Sequence, residues 1–304
     1  MRTATRPIPA IRRRRRSKTG FLFLLPALFI VSVLLIYPVA SSFYYSFTDK
    51  HLIRRRYEFV GLDNYIEILT DPGFLHAFLV SINWTAASLL GQVVVGFTAA
   101  LALNRINHFQ GFFRTMLIIP WAFPSIVIAL SWKWILNGVY GFVPNLIVKL
   151  GISDTPPQFF SNPNLVFSTL VFINIWFGAP LIMVNVLSAL QTIPKDQYEA
   201  AQIDAATPWQ SFLHITLPHI RVVVGLLVVL RTIWVFNNFD TIYLLTGGGP
   251  ANLTETVPIY AYNVGWGLKQ LGQSSAVTIV LLGFLLIICM FYFRLLDRWE
   301  KEIA

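Results

Sequence analysis

Six long apolar runs decide what this chain can fold into. They cover residues 21–47, 75–103, 112–136, 165–190, 220–245 and 274–296, and each exceeds the roughly 20 mostly apolar residues a helix needs to cross the hydrocarbon core of a bilayer. The runs are too long and too continuously apolar for barrel strands. In hydrocarbon a segment must satisfy its own backbone polar groups, so helices are expected. Composition agrees: 12% of the 304 residues are charged, against about 25% in a soluble domain, and an aromatic content of 15% argues against disorder. The expected fold is all-α, an integral membrane bundle of six transmembrane helices. Residues 1–18 are expected to form a basic cytoplasmic tail and residues 19–304 the transmembrane domain.

The formal charge of +9 is unevenly placed. Arginines fill positions 12–16, and Lys18 follows, immediately before the first apolar run. A basic run can mark nucleic-acid binding, but here it reads as a cytoplasmic flank of a span, with lipid rather than nucleic acid as its neighbour. The following run is too long for a signal peptide, no small-residue cleavage site ends it, and more spans come later. With both termini in the cytoplasm, fifteen Lys and Arg residues fall inside and six outside, the latter including the locally contrary Arg54, Arg55 and Arg56. Pro26, Pro38, Pro120, Pro124 and Pro180 interrupt the runs, either as packing kinks or as the broken helices of a transport path. Residues 60–69 read as a turn at Gly61 and an amphipathic stretch through Tyr65 and Ile68; Gly247-Gly248-Gly249-Pro250 reads as a turn ending the fifth run. Cys289, the one cysteine, reads as a small apolar residue, and Lys133 as a side chain snorkelling to the outer interface.

The segment between the fourth and fifth runs carries the most information. It reads Ile193-Pro194-Lys195-Asp196-Gln197-Tyr198-Glu199-Ala200-Ala201-Gln202-Ile203-Asp204-Ala205-Ala206-Thr207-Pro208-Trp209-Gln210. Asp196 and Glu199 have the spacing of a capping box. Thr207 and Gln210 have it again, with Pro208 at the first helical position. A helix of about ten residues, a bend and a new helix are expected. The small Ala200, Ala201, Ala205 and Ala206 let such a helix sit deep in a groove on another protein. Held rigidly at the base of two spans, it can transmit a push.

Glu199-Ala200-Ala201, position 205, Ile215, Leu217 and Pro218 fall at the spacing of the EAA loop, and by it the chain resembles the permease subunits of ATP-binding-cassette importers. The resemblance covers nearly the whole chain and is closest to carbohydrate importers of the maltose and glycerol-phosphate type, in the F-type subunit. It is also carried by residues 60–65, 119–125, 174–180, Asn237-Asn238-Phe239-Asp240 and the glycine turn. It implies a type I importer permease fold with a coupling loop at about residues 191–218, where Tyr198, Glu199, Ala200, Ala201, Asp204, Ala205 and Pro208 meet a cytoplasmic ATPase. The family's usual glycine is Ala205 here, so the bend is expected at Thr207-Pro208. The implied partners are a second permease, a dimer of ATP-binding subunits that carries ATP and Mg, and an extracytoplasmic sugar-binding protein. The implied location is the bacterial inner membrane. No cofactor, metal or catalytic residue is expected in this chain, whose five histidines are scattered and whose glycine turn ends in proline rather than preceding a lysine.

By the same resemblance the substrate path falls on Trp121, Ser125, Asn174, Phe177, Gly178, Leu181, Trp234 and Asn238. Helical spacing places Trp121 and Ser125 on one face. Each tryptophan reads as a sugar contact or as an interfacial anchor, and each asparagine as a contact or as an interhelical hydrogen bond. Arg231 comes from the residues alone. A charge in mid-span is costly, and on a continuous helix Arg231, Trp234 and Asn238 share a face, with Asp240 on the other side. It is expected to face the path and meet substrate oxygens or the second permease, with a structural ion pair or snorkelling as the alternatives. A di- or oligosaccharide is the expected substrate. Other readings are glycerol phosphate or another anionic solute, a secondary transporter or channel, and a membrane enzyme.

Overall fold

The structure, a computed structural model, describes residues 18–106 and 108–301. The arginines at 12–16, and almost all of the expected tail at 1–18, lie outside the described residues. Among the described residues no strand forms, and extended pairing is limited to two isolated bridges, Thr48 with Phe59 and His51 with Gln270.

The apolar runs become helices. Helix α1 covers residues 18–45, with a π-helical turn at Ser32–Ile36. A short α2, Asp63–Thr70, follows the Gly61 turn and leads into α3, Pro72–Asn104. Next come α4, Gln110–Ala122, α5, Ser125–Ile135, and a surface helix α6, Phe142–Lys149. Helix α7 is Pro163–Leu190, and α8 is Lys195–Ile203. Helix α9 spans residues 208–236 with a second π-helical turn at Phe212–Thr216. The last three are α10, Asp240–Thr246, α11, Val257–Tyr262, and α12, Leu271–Lys301. Two of the internal spans start alike. Asp71 caps α3 and Asn162 caps α7, each side chain accepting an N–H from two residues on, with proline at the first helical position.

Five segments are long and apolar enough to cross a membrane: Leu22–Tyr45, Pro72–Asn104, Pro163–Leu190, Pro208–Thr246 and Leu271–Trp299. The expected third crossing differs. It is made of α4 and α5, which meet at 92°. The cause is local: proline excludes the preceding residue from helical geometry, and Phe123 (ψ 148°) and Pro124 (ψ 141°) are both extended. Trp121 and Ser125 stand on opposite sides of this break and share no helical face, contrary to expectation.

Helices in lipid gain little from hydrophobic association and pack through small residues. Helix α3 buries Ala77, Ser81, Trp84, Ser88, Gln92, Gly96 and Ala100, a stripe at three- and four-residue steps. Much of it lies along α7, the most deeply buried span. At Gly96 an added Cβ would stand 2.6 Å from the Ala179 carbonyl oxygen, so this crossing needs glycine. Helix α1 lies outermost, against α12, and no residue of Leu22–Tyr45 is buried in the single chain.

Candidate functional site

The loop after α7 is built as a rigid bracket. Pro194, extended at ψ 134°, starts α8 at Lys195 with no side-chain cap. The capping box expected from Asp196 and Glu199 therefore does not form. The helix begins two residues earlier, with Pro194 as its N-cap, and Asp196 instead sits in its first turn, where a negative charge suits the helix dipole. Helix α8 ends in a Schellman motif: Ala205 N–H donates to Gln202 O at 3.1 Å and Ala206 N–H to Ala201 O at 2.9 Å. Ala205 itself takes the left-handed conformation, φ +54°. This corrects the expected site of the bend: the chain turns at Ala205, with the backbone a glycine would adopt, before it reaches Thr207-Pro208. The second capping box does form. Thr207 N–H donates to Gln210 Oε1 at 2.8 Å, Gln210 N–H donates to Thr207 Oγ1 at 3.3 Å, and Pro208 opens α9.

The bracket is fixed to the bundle by one residue whose structural part the sequence does not disclose. Tyr198 hydroxyl bonds Thr216 Oγ1 at 2.8 Å, tying α8 to the π-helical turn of α9. Its ring packs on the core formed by Leu103, Val186, Leu190, Ile193 and Ile220. Glu199, Ala200 and Asp204 stay exposed on the outer side, and Ala201 half-buried. Two apolar side chains also stand in solvent there, Ile203 at 85% and Trp209 at 67% exposed. A cavity of about 750 Å³ separates α8 from α9, lined by Arg105, Tyr198, Gln202, Trp209 and Phe212 among others.

The second constellation is a polar centre inside the bundle. Arg231, expected to face the path, is 5% exposed in the single chain. Its Nε donates to Gln92 Oε1 at 2.9 Å. Gln92 Nε2 in turn donates to Asn174 Oδ1 at 2.6 Å and to the Asn174 carbonyl at 3.0 Å. Spans α3, α7 and α9 are thus joined by one chain of hydrogen bonds. Gly178 makes room for it: an added Cβ would lie 2.3 Å from Arg231 Nη2 and 2.4 Å from Gln92 Cδ. Gln92 was not among the expected residues. Its signal was present, a side-chain amide in the middle of an apolar span that hydrocarbon cannot satisfy.

Around this centre Phe177 and Leu181 are half-buried, and Trp121 and Trp234 are exposed at 39% and 51%. The Trp234 ring lies 5.8 Å from the Arg231 guanidinium carbon. Helix α9 stops at Phe236, so Asn238 lies in the break before α10 and does not continue the face of Arg231 and Trp234. Its Oδ1 is buried without a protein partner among the described residues. The break frees helix-end carbonyls, and Trp84 Nε1 takes up that of Val235 at 3.0 Å. Ser125 Oγ lies 3.4 Å from Asp240 Oδ2 across the same region. Lys133, expected to snorkel, donates to the Leu244 carbonyl at 2.8 Å and ties α5 to the end of α10.

Residues 92–302 match the family described as "Binding-protein-dependent transport system inner membrane component". The trehalose/maltose transport system permease protein MalF of Thermococcus litoralis is 34% identical over 288 residues, 95% of this chain and 96% of that protein. The diacetylchitobiose uptake system permease protein DasB of Streptomyces coelicolor is 32% identical over 302 residues, 96% of this chain and 92% of its own. A solved bacterial ABC transporter involved in the import of the acidic polysaccharide alginate superposes with a TM-score of 0.81 at 22% identity, over 93% of this chain and 96% of that one, which speaks to the fold. A multi-pass helical fold, relatives above 30% identity along nearly the whole chain and a family match across most of it meet in one conclusion: this chain belongs to the inner-membrane permeases of binding-protein-dependent ATP-binding-cassette transporters.

Proposed function

We propose that the chain forms part of the translocation path for a sugar, a di- or oligosaccharide, and couples that path to a separate cytoplasmic ATPase through α8. The observation that carries the reading is the bracket itself. A nine-residue helix is tied to two spans at Tyr198 and turned by a Schellman motif, and it presents exposed Glu199, Ala200, Asp204 and Ile203 outward. A channel or secondary transporter has no use for a stiff external lever of this kind. Relatives named for trehalose/maltose and diacetylchitobiose support a sugar as the cargo.

In this reading ATP and Mg bind the ATPase subunits, and their closure pulls on Glu199, Ala200, Ala201, Asp204, Ala205 and Pro208. The motion passes through Tyr198 into α7 and α9, which carry the path residues Asn174, Phe177, Gly178, Leu181 and Trp234 with Arg231; Trp121 on α4, Ser125 on α5 and Asn238 after α9 complete the path. A second permease closes the path, and an extracytoplasmic binding protein delivers the sugar. Both chain termini, the basic tail included, face the cytoplasm. The test is Ala200→Asp, which places a carboxylate on the exposed outer side of α8. The expected result is loss of both ATPase co-purification and sugar uptake, with thermal unfolding unchanged. Retained association and uptake would overturn the proposal.

A further inference from the structure

Arg231 is left incompletely bonded by its own chain. A guanidinium carries five N–H donors. Among the described residues Nε–H alone meets an acceptor, Gln92 Oε1, and the four Nη–H donors meet none, although the side chain is 5% exposed. Its neighbours are neutral: the amides of Gln92 and Asn174, Gly178, whose missing side chain leaves room for Nη2, and the ring of Trp234. Neither Nη is among the fully enclosed unpaired polar atoms of the described residues, so the fork reaches open space from which an acceptor can meet it.

The geometry also says what shape the acceptor has. Gln92 is held at its far end by Asn174, so it fixes the Nε side of the guanidinium and aims the Nη side elsewhere. Two adjacent Nη groups form a fork that matches an anion with two or more oxygens, whereas a hydroxyl offers one acceptor and no charge. Beside the guanidinium stands Trp234, half-exposed, with a ring face on which a sugar can lie. We infer that Arg231 receives an anionic substituent of the cargo, a carboxylate, sulfonate or phosphate carried on a sugar, and that Gln92 is its positioning residue. The imported saccharide is therefore acidic. The inference rests on the sugar-path reading above and adds the class of sugar to it.

The test uses the complete importer, with its partner subunits and binding protein, in proteoliposomes. ATPase stimulation and uptake are measured for matched pairs that differ by one anionic group: glucose against glucuronate, glucose 6-phosphate and the 6-sulfonate, and cellobiose against cellobiouronate. The wild type is expected to respond to acidic members at concentrations about tenfold lower or more than to neutral ones, the gain of a charge-assisted bidentate contact. Three variants follow. Arg231→Gln removes the charge. Gln92→Glu keeps an acceptor for Nε and neutralises Arg231 from within, while giving up the two bonds that Gln92 Nε2 donates to Asn174. Arg231→Lys keeps the charge but loses the fork. The first two are expected to abolish the preference and the third to weaken it, all three remaining assembled. Stimulation by neutral members as strong as by acidic ones would overturn the anion inference and leave the sugar path standing. An unchanged preference in both Arg231→Gln and Gln92→Glu would also overturn it. Failure of Arg231→Gln to retain the second permease would mean that the acceptor is a partner's carboxylate, which equally rejects the inference. If no saccharide of either kind stimulates, the sugar path itself falls.

Discussion

At the scale of single residues, two small side chains sit where the backbone or a neighbour leaves little choice. Ala205 holds φ +54°, a conformation that costs a residue with a Cβ about 1–2 kcal/mol. Ala205→Gly should relieve much of this, raising stability by about 1 kcal/mol and the midpoint of thermal unfolding of the purified complex; a lower midpoint would contradict the geometry. Gly178 is the opposite case. Any Cβ there meets both the Arg231 guanidinium and the Gln92 amide, so Gly178→Ala overpacks the centre at a cost of about 1–3 kcal/mol. It should lower the unfolding midpoint and uptake together, whereas Gly283→Ala, where an added Cβ meets nothing within 4 Å, should change neither. The sequence marks both positions, Ala205 by its departure from the EAA pattern and Gly178 by the helical spacing from Asn174. It shows neither the sign of φ nor which side chain crosses the gap.

At the scale of elements, helix ends do most of the fixing. Asp71 caps α3 and also accepts the hydroxyl proton of Tyr260 from α11. This hydrogen bond, aided by the backbone N–H groups of Gly73 and Phe74, holds the carboxyl below its usual range, while burial and the Asp71 charge push the Tyr260 phenol up. The signs set a pH window. A depressed carboxyl stabilises fully above its ordinary pKa near 4 and stops doing so as the pH falls through its lowered value. A raised phenol stabilises fully below about pH 10 and stops doing so above. The tether is complete between those limits. Tyr260→Phe should therefore lower the unfolding midpoint at pH 7 and lower it less at pH 3, and an equal loss at both would show that the bond does not involve the ionised carboxylate. The breaks at Phe123-Pro124 and after Phe236 belong to this scale too. The proline break could be read from the sequence through the rule for residues before proline. The break at Asn237 and Asn238 could not, because no proline or glycine marks it; it depends on Trp84 taking a carbonyl from another span.

At the scale of the whole molecule, the bracket and the polar centre are joined through α9, which carries Thr216 near one end and Arg231 near the other. Tyr198→Phe deletes one hydrogen bond, worth about 1 kcal/mol, and keeps the ring in the core. In reconstituted importer it should leave ATPase association intact and reduce the sugar moved per ATP hydrolysed; undiminished coupling would show that the α8–α9 tie is not on the route. What the sequence determined alone is whatever depends on local chemistry and on the solvent. Apolar length fixed the spans, their helical form and the membrane location. Turn and cap residues announced a short helix, a bend and the capped start of α9, though not the residue that makes the bend, and one spaced motif pointed to the family. Tertiary structure decided which polar side chains face each other. Gln92, Asn174 and Arg231 sit on three separate spans far apart in the chain, and an isolated polar residue in hydrocarbon announces a need for a partner without naming it. Only the close approach of α3 and α7, permitted by glycine, brings those partners within hydrogen-bonding reach.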